Sequence, residues 1–369
     1  MVITAIVLIG ILIGGVLFSS IQEFRIGSNT QHQTRAAAAA EFGLNRVVEE
    51  WNPTFNSKLK TGDTLRRSYT LSSGGTATVL VTRLPGPFLW AISEGQAGAT
   101  RVDLSARRQF GCLLRFDTPQ VGFLGALTGR GGVKVGGSAY VSGKDYTISG
   151  ATGCPTMKDV PGVAMVDTSD ALKMPGCSVT KTCISGNPAW TETPAAGDTN
   201  TYFSYGSTNY WKLAAAANKV FPAGTTIPSA GPVVVGGVCQ TNLSTNWGEL
   251  TRDSPATACE GYFPIIHALG DLQITGGTGQ GILLVDGNLK LSGSFWFSGL
   301  VIVRGTLSTS GSGAGILGAV MAANVSLDEE ATSVLGNSYV QYSSCAISQA
   351  LNGTAMLKQA KERGWVEVF

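Results

Sequence analysis

The first eighteen residues, MVITAIVLIGILIGGVLF, carry no charge, and Thr4 is the one clearly polar side chain among them. This run approaches the roughly 20 apolar residues that span the hydrocarbon core of a bilayer. The first charged residues are Glu23 and Arg25, whereas signal peptides and membrane anchors usually place Lys or Arg before the apolar run. We therefore expect that a basic leader preceding Met1 has been removed; an ordinary anchor numbered from its start codon is the alternative.

The low charge of the chain narrows the classes of function. Of the 369 residues 14% are charged, the net charge is +2, and no run of Lys and Arg exceeds two residues, so the basic patch of a nucleic-acid-binding protein is missing. The two histidines, His32 and His267, lie far apart in the sequence and offer little material for a metal site or a catalytic triad. We expect no cofactor, no metal, no nucleic-acid partner and no small-molecule substrate.

All seven cysteines follow the apolar segment, and none belongs to a CxxC motif. This arrangement favours disulfides in an oxidising compartment over a zinc site. The candidate disulfide cysteines are Cys177 with Cys183, and Cys239 with Cys259. The connectivity stays open, and the odd number leaves one thiol unpaired.

The segment RAAAAAEFGLNRVVEEWNP predicts a helix that ends before Pro53. Its apolar residues recur at helical spacing and form one stripe, which consists of Ala37, Ala40, Leu44, Val47, Val48 and Trp51. Joined to the apolar segment, it predicts one long helix over residues 1–52, of which 1–22 are hydrophobic on every side. We expect Leu44, Val47, Val48 and Trp51 to pack against a sheet.

Two β regions follow the helix. Between Leu65 and Phe116, alternating β-branched and aromatic residues predict an antiparallel sheet within residues 53–121. Residues 122–345 are rich in Gly, Ser and Thr, and apolar residues recur there at intervals of about 18. The recurring positions are Ile266, Leu284, Ile302 and Val320, and then Leu272, Leu289, Leu307 and Val325. This repeat predicts a β-solenoid core.

The remaining parts of the chain complete the predicted organisation. We expect a loop-rich insertion that carries cysteines at about 150–260, and a C-terminal helix and strand over 346–369, with an interrupted helix from Ala346 to Glu362. The fold class is therefore α+β: a long N-terminal helix packed on an antiparallel sheet, followed by a mainly β, solenoid-like domain.

Acidic residues of the predicted solenoid give little support for catalysis. A polysaccharide-cleaving enzyme needs two carboxylates that converge on one face, and Asp271 and Asp286 fall out of register with each other by the rung spacing. His267 beside Asp271 is the one acid–base pairing in the sequence, and we interpret His267 as structural. We expect no catalytic residue and no enzymatic activity.

The residues MVITAIVLIGILIGGVLF and SSIQEFRIGSNTQHQTRAAAAAEFGLNRVVEEW resemble the long helix of the type IV pilin superfamily, which includes the pseudopilins, and Leu65 to Phe116 is similar to the sheet packed on it. The resemblance covers about the first third of the chain. It implies a leader peptidase, a methylated N-terminus, inner-membrane insertion before assembly by a pilus machinery, and then a homo-oligomeric extracellular filament. The helix residues that it implies to pack in the filament core are Met1, Ile3, Ile6, Val7, Leu8, Ile9, Gly10, Leu12, Gly14 and Leu17.

One position departs from the pattern. Most major pilins carry Glu at mature position 5, where this chain has Ala5, and some minor subunits lack that Glu. Ala5 thus favours a minor or tip role, whereas the resemblance as a whole predicts a structural subunit of a type IV pilus-like filament on the cell surface. Two alternatives remain: a minor pilin, pseudopilin or tip adhesin that primes another filament, and a membrane-anchored β-solenoid protein that binds or cleaves polysaccharide.

Overall fold

The computed structural model describes residues 2–53, 56, 59–72, 74–98, 105–148, 154, 157–167, 172–173, 183–250, 258–311, 313–325, 331–360 and 365–368. The chain divides into two compact units. Unit 1 consists of Met1–Asn52, Leu59–Phe116 and Met356–Phe369, and unit 2 consists of Pro53–Lys58 and Asp117–Ala355. Unit 2 is therefore inserted into the sequence of unit 1.

The described elements are numbered in chain order. The helices are α1 (Val2–Glu49), α2 (Thr199–Phe203), α3 (Tyr210–Ala215) and α4 (Ser344–Gly353). The strands are β1 (Thr64–Thr70), β2 (Thr76–Arg83), β3 (Phe88–Gly98), β4 (Ser105–Asp117), β5 (Leu127–Gly129), β6 (Val133–Val135), β7 (Tyr140–Ser142), β8 (Val163–Met165), β9 (Leu172–Lys173), β10 (Ile184–Ser185), β11 (Trp190–Glu192), β12 (Ser204–Tyr205), β13 (Thr208–Asn209), β14 (Lys219–Phe221), β15 (Thr225–Ile227), β16 (Val234–Val235), β17 (Val238–Cys239), β18 (Ile265–Ala268), β19 (Leu272–Val285), β20 (Leu289–Val303), β21 (Leu307–Ser310), β22 (Gly315–Ala322), β23 (Thr332–Val334), β24 (Tyr339–Tyr342), β25 (Met356–Gln359) and β26 (Trp365–Val368).

The predicted α+β fold class is confirmed in unit 1. Helix α1 is a single helix of 48 residues, which corresponds to about 72 Å at 1.5 Å per residue. It ends at Glu49, slightly before the predicted boundary, because Pro53 disfavours a helical conformation in the residue before it. In the last turn, the Arg46 guanidinium contacts Glu49 at 2.9 Å and Glu50 at 2.7 Å.

Strands β1 to β4 form an antiparallel meander, and the two C-terminal strands β25 and β26 pair with β4. The predicted interrupted helix from Ala346 to Glu362 is therefore wrong beyond Gly353, where α4 ends and residues 356–359 form a strand. The reason is tertiary: β4 offers a free edge to this segment, and sheet pairing overrides a weak local helix propensity. The C-terminus thus completes the first sheet.

Small residues allow α1 to lie directly on this sheet. Ala36, Ala39, Ala40 and Gly43 are buried on the helix side, and Gly95 on β3 faces them. A Cβ at Gly95 would lie 2.1 Å from the Ala36 carbonyl oxygen, so a larger residue would force the two elements apart. Large side chains continue the contact toward the helix C-terminus.

The predicted packing residues lie in this second part of the contact. Leu44, Val47 and Trp51 are buried, and Val48 is half-buried. The Trp51 ring lies 6.3 Å from that of Phe116. The helix therefore uses small residues in its middle and large ones at its end.

We expect Gly43→Ala to lower the stability of unit 1 by about 1–3 kcal/mol because it overpacks a tight contact. The new Cβ would lie 2.6 Å from Ser93 Oγ and 2.8 Å from Ala77 Cβ. Gly27→Ala is the matched control, since it lies on the same helix and its Cβ would meet nothing within 4 Å. Thermal unfolding of the full chain in detergent measures both; equal midpoints for the two variants would contradict this packing.

Unit 2 is built from parallel strands that stack in ladders. The first ladder contains β14, β18, β19, β20, β22, β5, β8 and β11, in that spatial order. One register column runs through all of them, and it consists of Phe221, Ala268, Val285, Val303, Ala322, Gly129, Met165 and Glu192. Along each of the two runs, β14 to β22 and β5 to β11, each turn of the chain adds one strand beside the previous one.

A second ladder repeats the same order with β15, β19, β20, β21, β23, β6 and β9. A third contains β19, β20, β22, β24, β7 and β10. In each ladder, a strand that comes first in the sequence of unit 2 lies in space beside a strand that comes late in it. The stack is therefore continuous in space, but the chain enters and leaves it at adjacent turns, along a seam where β22, β23 and β24 pair with β5, β6 and β7.

The four residues predicted as the repeat core are buried, but the repeat is less regular than the sequence indicates. Leu284 pairs with Ile302, whereas Ile266 pairs with Leu283 and Val320 with Val301. The register thus advances by 17, 18 and 19 residues from turn to turn.

Two further expectations about this unit are wrong. Val325 does not continue the series of Leu272, Leu289 and Leu307; it is 40% exposed, and Thr332 takes the next position, with its hydroxyl near the Leu307 amide. The described strands of the segment 150–260 also do not form a separate insertion, because β8 to β11, β14 and β15 belong to the ladders. A seam between distant segments has no local signal in the sequence.

Polar corners hold successive turns together. Asp271 Oδ1 accepts a hydrogen bond from the Asn288 amide at 2.7 Å, and Asn288 Oδ1 accepts from the Thr306 amide at 2.8 Å. Each side chain therefore satisfies a backbone donor of the next turn, which would otherwise be unpaired at the bend. Asp271 is thereby used as a structural corner of the stack.

Candidate assembly surface

The N-terminal half of α1 presents large apolar side chains to its surroundings on every side. Those that are more than half exposed are Ile3, Ile9, Ile11, Leu12, Ile13, Val16, Leu17, Phe18, Ile21, Phe24 and Ile26. By length and composition, the helix qualifies as a candidate membrane span over Ile9–Glu49, and the apolar window is unburied within the chain. We call residues 2–26 of α1 the assembly surface.

The sequence-predicted core-helix residues fall on this surface as follows. Ile3, Ile9, Leu12 and Leu17 are exposed. Met1 lies outside the described residues, and so do the side chains of Ile6, Val7 and Leu8, although their backbone is helical.

Gly10 and Gly14 form a small patch on the same surface. Both are exposed, and a Cβ added at either would meet nothing within 4 Å. Glycines separated by four residues allow the backbones of two apolar helices to approach closely. The patch is thus suited to helix–helix contact.

The cysteines form disulfides outside the assembly surface. Cys239 pairs with Cys259 as predicted, and Cys154 pairs with Cys345, a pair that the sequence did not indicate. Cys183 is disulfide-bonded, while Cys177, its candidate partner, lies outside the described residues. The Cys154–Cys345 bond joins the segment after β7 to α4 and so ties the two sides of the seam.

Cys112 on β4 is the free thiol among the described cysteines. It is fully buried, and burial raises the pKa of the thiol to about 11. Since the thiolate is the reactive form, this cysteine is a core residue rather than a nucleophile.

We therefore expect iodoacetamide at pH 8 to leave Cys112 unmodified in the folded chain and to alkylate it after denaturation without reductant. Peptide mass spectrometry reads the modification, and peptides that hold Cys239 and Cys259 as a disulfide serve as the internal control. Rapid alkylation of Cys112 in the folded chain would contradict its burial.

One cluster in unit 2 combines side chains with acid–base character. His267 Nε2 lies 3.0 Å from Asp286 Oδ2, the Tyr210 hydroxyl donates to Asp286 Oδ1 at 2.9 Å, and Arg304 lies 3.6 Å from the same carboxylate. Burial, together with the Asp286 charge, raises the pKa of Tyr210. His267 therefore pairs with Asp286 rather than with Asp271, its predicted neighbour.

The cluster is arranged as a structural contact. Asp286 accepts hydrogen bonds from Tyr210 and His267 and faces the Arg304 guanidinium, so its oxygens are already engaged. Asp271 accepts from the Asn288 amide. Among the described residues, no group of three or more His, Cys, Asp or Glu side chains is placed to hold a metal ion. The described part of unit 2 thus offers no converging pair of free carboxylates at these positions.

Comparisons with known proteins do not assign this chain to a family. No family model matches, and no curated protein matches. Among solved structures, the competence-associated pilin ComZ from Thermus thermophilus is similar, with 10% sequence identity and a TM-score of 0.22, over 93% of this chain and 97% of that one. A TM-score of this size does not establish a shared fold.

The architecture of unit 1 is a separate observation that does not depend on that structural similarity. A helix of 48 residues carries an apolar, unburied first half, and its second half packs on an antiparallel sheet. These features fit a type IV pilin-like protein.

Proposed function

We propose that this chain is a structural subunit of an extracellular, type IV pilus-like filament, assembled through the N-terminal halves of its helices. The observation that carries the proposal is the division of α1 into two parts. Leu44 and Val47 are almost fully buried within unit 1, whereas Leu12 is 67% exposed. The exposed part needs an apolar environment that the described chain does not itself supply.

Helix length supports membrane insertion before assembly. The residues that precede Glu23 extend about 33 Å at 1.5 Å per residue, close to the roughly 30 Å of a bilayer core. Glu23 and Arg25 then mark the transition to water. In the filament, the same surface packs against identical helices and so stays out of water; each large aliphatic side chain is stabilised there by about 1.5–3 kcal/mol relative to exposure in water.

The resemblance to pilins supplies the finer parts of the proposal. A leader peptidase would release and methylate the N-terminus, the inner-membrane assembly machinery would extract the subunit from the bilayer, and the filament would carry the sheet of unit 1 and the whole of unit 2 on its outside. The subunit performs no chemistry in this role.

A minor or tip role is the second candidate. No acidic side chain precedes Glu23, so the first 22 residues carry no carboxylate to pair with a neighbour's amino terminus, and this favours a subunit used in few copies. Unit 2 would then serve as an adhesin at the tip.

Mechanical shearing of the source cells separates these candidates. We expect sheared filaments to contain this chain as the main component by mass spectrometry. A trace amount would favour the minor role. Recovery only as a monomer in the membrane fraction would overturn both and favour an anchored polysaccharide-binding or polysaccharide-cleaving protein.

We further expect Leu12→Arg to abolish filament formation, because a charge in the packed apolar region costs about 3 kcal/mol or more per subunit. Asn29→Arg is the matched control: it adds the same charge at an exposed position of the same helix, beyond the apolar region. Immunoblots of the sheared and membrane fractions measure both variants. Filaments of normal yield from Leu12→Arg would show that this surface is not packed.

A further inference from the structure

An aromatic column runs along the third ladder of unit 2. Successive turns place Thr278, Trp296, Gly315, Tyr339 and Tyr140 at one register position. The flanking residues Phe295 and Phe297 are buried in the core, so this position alternates to the outer face of the ladder. We call these five residues the aromatic column.

The rings of the column form a partly exposed platform. Trp296 and Tyr339 have nearly parallel rings, with an interplanar angle of 22° and centroids 6.1 Å apart. The Tyr140 ring continues the row, 6.4 Å from that of Tyr339. Tyr339 is 39% exposed, and Trp296 and Tyr140 are half-buried.

Gly315 makes the platform possible. It occupies the turn between Trp296 and Tyr339, and a Cβ there would lie 2.3 Å from two ring atoms of the Trp296 indole. The indole therefore covers the glycine and closes the gap to the next ring. Any other residue at 315 would displace it.

Hydroxyl groups border the platform. The Tyr140 hydroxyl lies 2.6 Å from Ser185 Oγ, which donates to Ser142 Oγ at 3.0 Å. From Trp296 to Tyr140 the column crosses three inter-strand spacings, about 14 Å in all. The surface thus combines partly exposed aromatic rings with hydroxyl groups over the length of a short oligomer.

We propose that the aromatic column binds a neutral polysaccharide. The C–H faces of pyranose rings pack on aromatic rings, and sugar hydroxyls pair with protein hydroxyls, so the chemistry of the column matches an uncharged glycan. Nucleic acid also stacks on aromatic rings, but such sites add a positively charged groove that tracks the backbone. None of the five register positions of the column is charged, which favours the neutral ligand.

This inference goes beyond filament assembly, because the column belongs to unit 2 and the assembly surface to unit 1. Unit 2 would bind the same class of ligand whether the chain is the main subunit of a filament or a tip adhesin. A chain that carries Leu12→Arg is therefore expected to keep its glycan binding, so the two proposals fail separately.

The test is affinity electrophoresis of the full chain in a polyoxyethylene detergent, which carries no sugar headgroup. Native gels contain amylose, hydroxyethylcellulose or xyloglucan as neutral probes, and dextran sulfate and single-stranded DNA as charged ones. We expect retardation by at least one neutral probe. Trp296→Ala should weaken that binding about tenfold or more, equivalent to about 1.4 kcal/mol, because it removes one of the two stacked rings.

Two further variants make the result specific. Gly315→Ala keeps every ring but displaces the Trp296 indole, and it should weaken binding as well. Trp211→Ala removes a tryptophan of α3 that is 56% exposed but lies outside the column, and it should leave binding unchanged. If Trp296→Ala fails to fold, oligosaccharide-induced changes in tryptophan fluorescence that Trp296→Phe removes carry the same conclusion.

Three results would overturn the proposal. These are the absence of retardation by every neutral probe, equal retardation of the wild-type chain and Trp296→Ala when both are folded, and binding to the charged probes alone. With either of the first two results the column would be a stabilising stack between turns, and the third would assign a charged polymer as the ligand instead.

Discussion

The chain leaves the sheet of unit 1 at the end of one strand, forms unit 2, and returns to the same sheet in the neighbouring strand. This connectivity constrains the architecture of unit 2. Strand β4 ends at Asp117, β25 begins at Met356, and the two strands are adjacent in the sheet. A simple stack of turns would leave its first and last strands at opposite ends. Here the first strand, β5, pairs with the late strand β22, as in Leu127 with Val320. The first and last strands thus meet inside the stack, and the chain crosses from β11 at one end of the ladder to β14 at the other between residues 192 and 219.

The same constraint explains what could be predicted from the sequence. Positions such as Leu284 and Ile302 are consecutive turns of one continuous segment, so their spacing is written in the sequence as an interval of 18. Leu127 and Val320 are equally close in space but almost 200 residues apart. No periodicity records that pairing, and the sequence therefore predicts an insertion at 150–260, where β8 to β11, β14 and β15 in fact join the ladders. The Cys154–Cys345 bond crosses the same region and was missed for the same reason.

The contact of α1 with its sheet shows a second limit. Leu44 and Val47 were predicted because large apolar side chains at helical spacing mark a buried face. Ala36, Ala39 and Gly43 are equally buried but have almost no side chain, so a hydrophobicity pattern does not distinguish them from residues chosen for helix propensity. Their role follows from close approach to Gly95, which only tertiary structure reveals. The aromatic column was missed similarly, because its members come from separate turns.

The assembly surface differs from an ordinary interface patch in its geometry. Consecutive helical residues are rotated by about 100°, so Ile11, Leu12 and Ile13 point in three directions, and all three are more than half exposed. A single partner helix or a flat partner surface would cover one of these directions and leave the others in water. Only an environment that surrounds the helix, either lipid or a bundle of helices, removes all of them from water. The requirement for enclosure, rather than hydrophobicity alone, is what a bilayer and the proposed filament core both satisfy.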